Sequence, residues 1–229
     1  MKIKSFLKYY IMLDLQEIVV LSTAIITILS FILAILLSLK YFRTKVKNYI
    51  FWSSGLYLFS LGAFLELIFA LGYYNEFLID FYLFIVAILV NLLALGSIQF
   101  FSNKIKKIYY IYSIITDIIL LISFFFVKIG NIIQNYVVFG VLPLLITITS
   151  SLVTFPAVIV LLISAIISIR KAKNIEDKEK RRHKIMQMSS IIAGVILLSI
   201  AGTLYIAAYP ELLYWSQFFG VILLWLGFI

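Results

Sequence analysis

The sequence predicts an all-α integral membrane protein: a bundle of seven transmembrane helices, N-terminus outside and C-terminus cytoplasmic. Three observations predict it. Of the 229 residues 64% are hydrophobic and only 13% charged, with a mean hydropathy of +1.15. A soluble domain is roughly half apolar and about a quarter charged, and a globule this size has too little interior to hide the excess. The apolar residues also gather into long runs. The basic residues, in turn, sit in short segments between those runs.

The runs fall near 18–39, 49–71, 81–101, 108–127, 136–169, 185–208 and 212–229. Each is near or above the roughly 20 residues that a spanning helix needs. The first follows Lys2, Lys4, Lys8, Asp14 and Glu17. A signal peptide would set its basic region directly before a short apolar core, so a retained helix is predicted.

Orientation follows from lysine and arginine. The segments 40–48, 102–107 and 170–184 hold four, three and eight of the 19 basic residues, and only Lys2, Lys4, Lys8 and Lys128 fall on the other side. The three basic loops are therefore expected in the cytoplasm, opposite Glu76, Asp80 and Glu211. Aromatic belts agree, with Tyr41, Tyr49, Trp52 and Tyr109 near the basic loops and Tyr73, Tyr74, Tyr209 and Trp215 at the other boundary.

The run 136–169 fits less simply. As one straight helix it would be about 51 Å long at about 1.5 Å per residue, against about 30 Å of hydrocarbon. Two spans would reverse the parity and misplace basic loops. The prediction is one span, 150–169, preceded by a re-entrant or interfacial helix on the outer side. Pro143 and Pro156 would interrupt the backbone ladder, and Thr147, Thr149, Ser150, Ser151 and Thr154 would satisfy the freed groups.

Two carboxylates fall inside predicted spans, Glu66 and Asp117. An ionisable group in the membrane is a candidate functional site because its charged form costs about 2.5–3.5 kcal/mol or more at mid-bilayer. Glu66 shares a face with Gly55, Gly62, Ala63 and Ala70, small residues that let helices approach closely, so it is expected to face protein. Asp117 shares its face with Ser113 and is expected to pair with Asn91 in the third span. For both, an interhelical hydrogen bond is the plain reading; ion, proton or ligand handling is the functional one. The Ser190, Gly194, Ala201, Gly202 stripe reads as packing. Thr149, Ser150, Ser151 and Thr154 are candidates to line an outer cavity with Glu66.

Absences narrow the chemistry. There is no cysteine, hence no thiolate site or disulfide. The lone His183 lies in a basic loop without metal-ligating company, so no metal and no cofactor are expected. There is also no phosphate-cradling glycine loop and no nucleophile elbow. The net charge of +9 is topological in distribution and does not point to nucleic acid. Lys171, Lys173, Arg181 and Arg182 are placed to meet anionic lipid headgroups. High isoleucine content fits a thermophilic, archaeal-like composition. The expected topology resembles that of microbial rhodopsins, but 212–229 has no lysine to hold retinal, and the resemblance ends there.

These features predict a multi-pass protein of the cell membrane acting as a non-enzymatic module. It would be an accessory subunit or sensor-like bundle, with a membrane-protein partner or as a homo-oligomer. The alternative is a small transporter or channel using Glu66 and Asp117.

Overall fold

The computed structural model describes the backbone of residues 2–130, 132–134, 137–138, 142–206 and 210–228, and the side chains of 16–130, 132–133, 142–198 and 214–228. Seven α-helices account for most of it: α1 Lys2–Thr44, α2 Lys47–Ala70, α3 Glu76–Ser97, α4 Asn103–Phe126, α5 Leu144–Ala172, α6 Lys178–Ile206 and α7 Pro210–Phe228. A single 3-10 turn, Ile98–Phe100, follows α3. Among the described residues five stretches are long and apolar enough to cross a membrane: Gln16–Thr44, Lys47–Ala70, Glu76–Phe100, Asn103–Phe126 and Leu144–Ala172. Large apolar side chains are exposed along them, among them Ile108, Ile111, Ile115, Ile118 and Phe125 of α4. Hydrocarbon turned outward suits lipid as solvent, and it is the reverse of a water-soluble skin.

Local chemistry sets the helix ends. Asn75 Oδ1 accepts from Leu78 N at 2.8 Å, a side-chain cap for α3. Gly72, at φ +90°, closes α2 by donating to Phe69 O; a Cβ there would be strained. Lys45, at φ 56°, turns the chain between α1 and α2 and donates to Tyr41 O at 2.7 Å.

One expectation needs correction. No separate re-entrant or interfacial helix precedes residue 150 among the described residues; 144–149 are the first turns of α5 itself. Upstream lies a two-residue antiparallel ladder, β1 Ile133–Gln134 with β2 Val137–Val138. Pro143 does not break a helix but stands at the N-cap of α5, where its missing N–H is no loss. Pro156 lies within α5, and the helix runs through it.

The packing order differs from the chain order. α1 packs on α2, α2 on α3, α3 on α5, α5 on α6, α6 on α7, and α7 returns to α1. Six helices thus close a ring, and α4 stands outside it against α3 and α5. Leu33 and Leu37 of α1, Leu56 of α2, Leu93 of α3, Leu161 of α5, Ile191 of α6 and Leu224 of α7 belong to one buried cluster. A second cluster joins Leu65, Phe69, Ile79 and Ile85 to Ile129, Ile132 and Ile146, so the segment after α4 lies down over α2, α3 and α5. Close backbone approach draws neighbours together: a Cβ on Gly194 would meet Gly220 O at 3.0 Å, and one on Gly55 would meet Leu89 O at 3.1 Å.

Candidate functional site

Asn91 is the hub of the first polar cluster. It projects from α3 toward α4 and is 2% exposed. Its Nδ2 donates to Ser113 Oγ at 2.6 Å and to the two Asp117 oxygens at 2.9 and 3.0 Å. Its Oδ1 accepts from Tyr109 Oη at 3.0 Å. Tyr109, Ser113 and Asp117 recur every four residues, which puts them on one stripe of α4. Both N–H groups of the amide and one lone pair of its oxygen are thereby used. The expected Asn91–Asp117 pair is made, and Tyr109 enlarges it.

Glu66 anchors the second cluster where α2, α3 and α7 meet. It is 6% exposed and lies among the buried residues Gly62, Ala63 and Ala70 of its own helix, so it faces protein. Tyr82 Oη of α3 donates to Glu66 Oε1 at 2.5 Å, and Gln217 Nε2 of α7 donates to the same oxygen at 3.4 Å. Nearby, Gln16 Nε2 of α1 donates to Ala70 O at 2.9 Å.

The two clusters are not neighbours. Tyr82 and Asn91 are nine positions apart on α3, which is about 13 Å of rise and about half a turn of azimuth. Glu66 and Asp117 therefore bear on opposite faces of one helix, at different depths.

The hydroxyls of α5 go elsewhere. Thr149 Oγ1 is 3.1 Å from Ser123 Oγ of α4 and donates to Leu145 O at 2.9 Å. Ser150 and Thr154 bond to carbonyls one turn back, Thr147 O and Ser150 O, and Ser151 is exposed. Among the described residues none of these four hydrogen-bonds to Glu66. Lys171, Lys173 and Arg182 are exposed, and Arg181 is half-buried. On the packing stripe of α6, Gly194 is buried against α7, while the side chains at 201–205 lie outside the described residues.

An apolar groove of about 340 Å³ runs between α1 and α2, lined by Ile28, Phe31, Tyr57 and Phe64 among others. Its Thr27 and Ser60 hydroxyls are turned onto backbone carbonyls, Thr23 O at 2.7 Å and Thr27 O at 2.9 Å.

Sequence reasoning missed Tyr82, Tyr109 and Gln217. The four-residue recurrence of Tyr109, Ser113 and Asp117 was a usable signal. Nothing in the local sequence pairs Tyr82 or Gln217 with Glu66, because that depends on which helices are neighbours.

Compared with known proteins, the chain matches no family model, no curated protein and no solved structure.

Proposed function

We propose that this chain is a non-enzymatic seven-helix module of the cell membrane, N-terminus outside and basic loops in the cytoplasm. In this reading it serves as an accessory subunit or sensor-like bundle within a membrane assembly. The observation that carries the proposal is the buried apolar cluster to which all six helices of the ring contribute among the described residues. The carboxylates support it, since each is held by a side chain of α3, Glu66 of α2 by Tyr82 and Asp117 of α4 by Asn91, on opposite faces of that helix. Groups used this way fix helix positions.

The test is gentle extraction of the tagged chain from its native membrane, combined with in-membrane cross-linking. The expected result is one stoichiometric membrane protein recovered by both routes. A monodisperse lone chain that drives ion flux in liposomes would overturn the proposal. Orientation is tested with a single cysteine at Lys178, available because the chain has none of its own. An impermeant thiol reagent should reach it only from the cytoplasmic side.

A transporter is the second reading, favoured by the incompletely bonded carboxylate Glu66. It requires that Glu66→Gln and Asp117→Asn abolish flux while the fold persists.

A further inference from the structure

Glu66 Oε1 takes both of the hydrogen bonds offered to the carboxyl, from Tyr82 and Gln217. Its other oxygen, Oε2, is buried and has no partner among the described residues, and the same is true of Oε1 of Gln217. These two side chains already touch through Gln217 Nε2 at 3.4 Å. Both orphans are acceptors, so they cannot satisfy each other. What the pair lacks is a donor.

No protein cation supplies the balance. The groups facing Glu66 are a phenol from α3 and an amide from α7, and among the described residues no lysine or arginine pairs with it. An ionised carboxylate here would leave a bare oxygen in a low-dielectric interior.

We infer that Glu66 is a proton-binding site, with its carboxyl neutral and the proton on Oε2. One O–H bond forms on Oε2 as one O–H bond of a hydronium ion breaks, and water is released. The acid hydroxyl becomes the donor that the Glu66–Gln217 pair lacks, joining α2 to α7 as Tyr82 joins α2 to α3. Release of the proton leaves Oε2 charged and unpartnered, which loosens the junction of the three helices. The inference rests on reading α2 as a membrane span, but its test does not depend on topology.

Infrared spectra of the full chain in lipid at neutral pH read the protonation state directly. The expected wild-type spectrum contains the C=O stretch of a protonated carboxylic acid, shifted in heavy water. That band should be absent from Glu66→Gln and retained in Asp117→Asn. Loss of an ionised-carboxylate stretch in Glu66→Gln, or no acid band that depends on Glu66, overturns the inference. Should Glu66→Gln fail to fold, wild type is treated with a hydrophobic carbodiimide, which consumes protonated acids, and the Glu66 peptide is weighed. Modification at neutral pH is the expected result. An unmodified Glu66 in a folded chain whose unfolded form does react overturns it.

Discussion

Tyr112 Oη donates a 2.6 Å hydrogen bond to Leu152 O, the carbonyl that Pro156, four residues further along α5, leaves without a helical donor. A phenol from the neighbouring helix thus stands in for a missing backbone N–H, and α5 continues through its proline. Tyr112→Phe should cost about 1 kcal/mol, in the range of interhelical hydrogen bonds in membranes. In a Pro156→Ala background the backbone N–H restored at that position reclaims Leu152 O, and the cost should shrink toward zero. Unfolding of the four variants in detergent micelles measures this; an equal cost in both backgrounds would contradict the assignment.

Asn91 should be less replaceable than Asp117. Asn91→Leu strands Tyr109, Ser113 and Asp117 together, and unpartnered buried polar groups cost about 1–3 kcal/mol each where they cannot find new partners. Asp117→Asn keeps an oxygen to accept from Asn91 Nδ2, so a loss of under about 1 kcal/mol is expected. Thermal unfolding of the two variants side by side decides the ranking.

Two glycines separate close packing from mere smallness. A Cβ on Gly96 would run into the indole of Trp52, which is itself held by its Nε1 donating to Leu93 O and Ser97 Oγ, both at 3.2 Å. Gly96→Ala should therefore destabilise by about 1–3 kcal/mol, the usual range for overpacking. A Cβ on Gly62 meets only Val86 Cγ2, at 3.7 Å. Gly62→Ala should be neutral, or stabilising by up to about 1 kcal/mol through helix propensity. Comparable losses in both would show that the α2–α3 contact at Gly62 is tighter than described.

Asp177 begins α6. The N–H of Lys180, and after it that of Glu179, donates to its carboxylate, with the Lys180 ammonium 3.4 Å away. These hold its carboxyl below the usual value of 3.8, against a weaker opposing effect of desolvation. A depressed folded value means the stabilisation is complete above 3.8 and is lost as pH falls through the lower folded value. The melting difference between wild type and Asp177→Ala should stay constant from neutral pH down to about 3.8, shrink below it, and level off below the folded value. A difference that instead grows in acid would reverse the sign.

The sequence made legible what lipid demands and little of what neighbouring helices demand of each other. Long apolar runs announce helices because a bilayer leaves the backbone no other partner, and α2 and α4 begin and end close to where the hydropathy placed them. The start of α5 at Leu144 was not legible, because charge counting and length arithmetic treat the segment as helix or nothing. Among the described residues upstream, a two-residue β ladder and a proline N-cap stand there instead. Glu66 could be placed on a small-residue face from α2 alone. Its partners Tyr82 and Gln217 lie 16 and 151 positions away, and no periodicity within one helix encodes them. The seat of α4 outside the ring is equally invisible to hydropathy, since lipid-facing and bundle-facing spans are both apolar.

The placement of Tyr82 and Asn91 on α3 has a consequence for assembly. They are far enough apart for their deletions to act separately, so Tyr82→Phe and Asn91→Ala should add within about 0.5 kcal/mol in a double-mutant cycle. Together they act like two dowels driven into one beam from opposite sides. Sliding α3 by a single residue turns it by about 100° and shifts it by about 1.5 Å, which withdraws both at once. A misassembled bundle gains no partial credit from one correct contact, so the polar residues of α3 proofread the alignment of a helix whose greasy surface would accept many others.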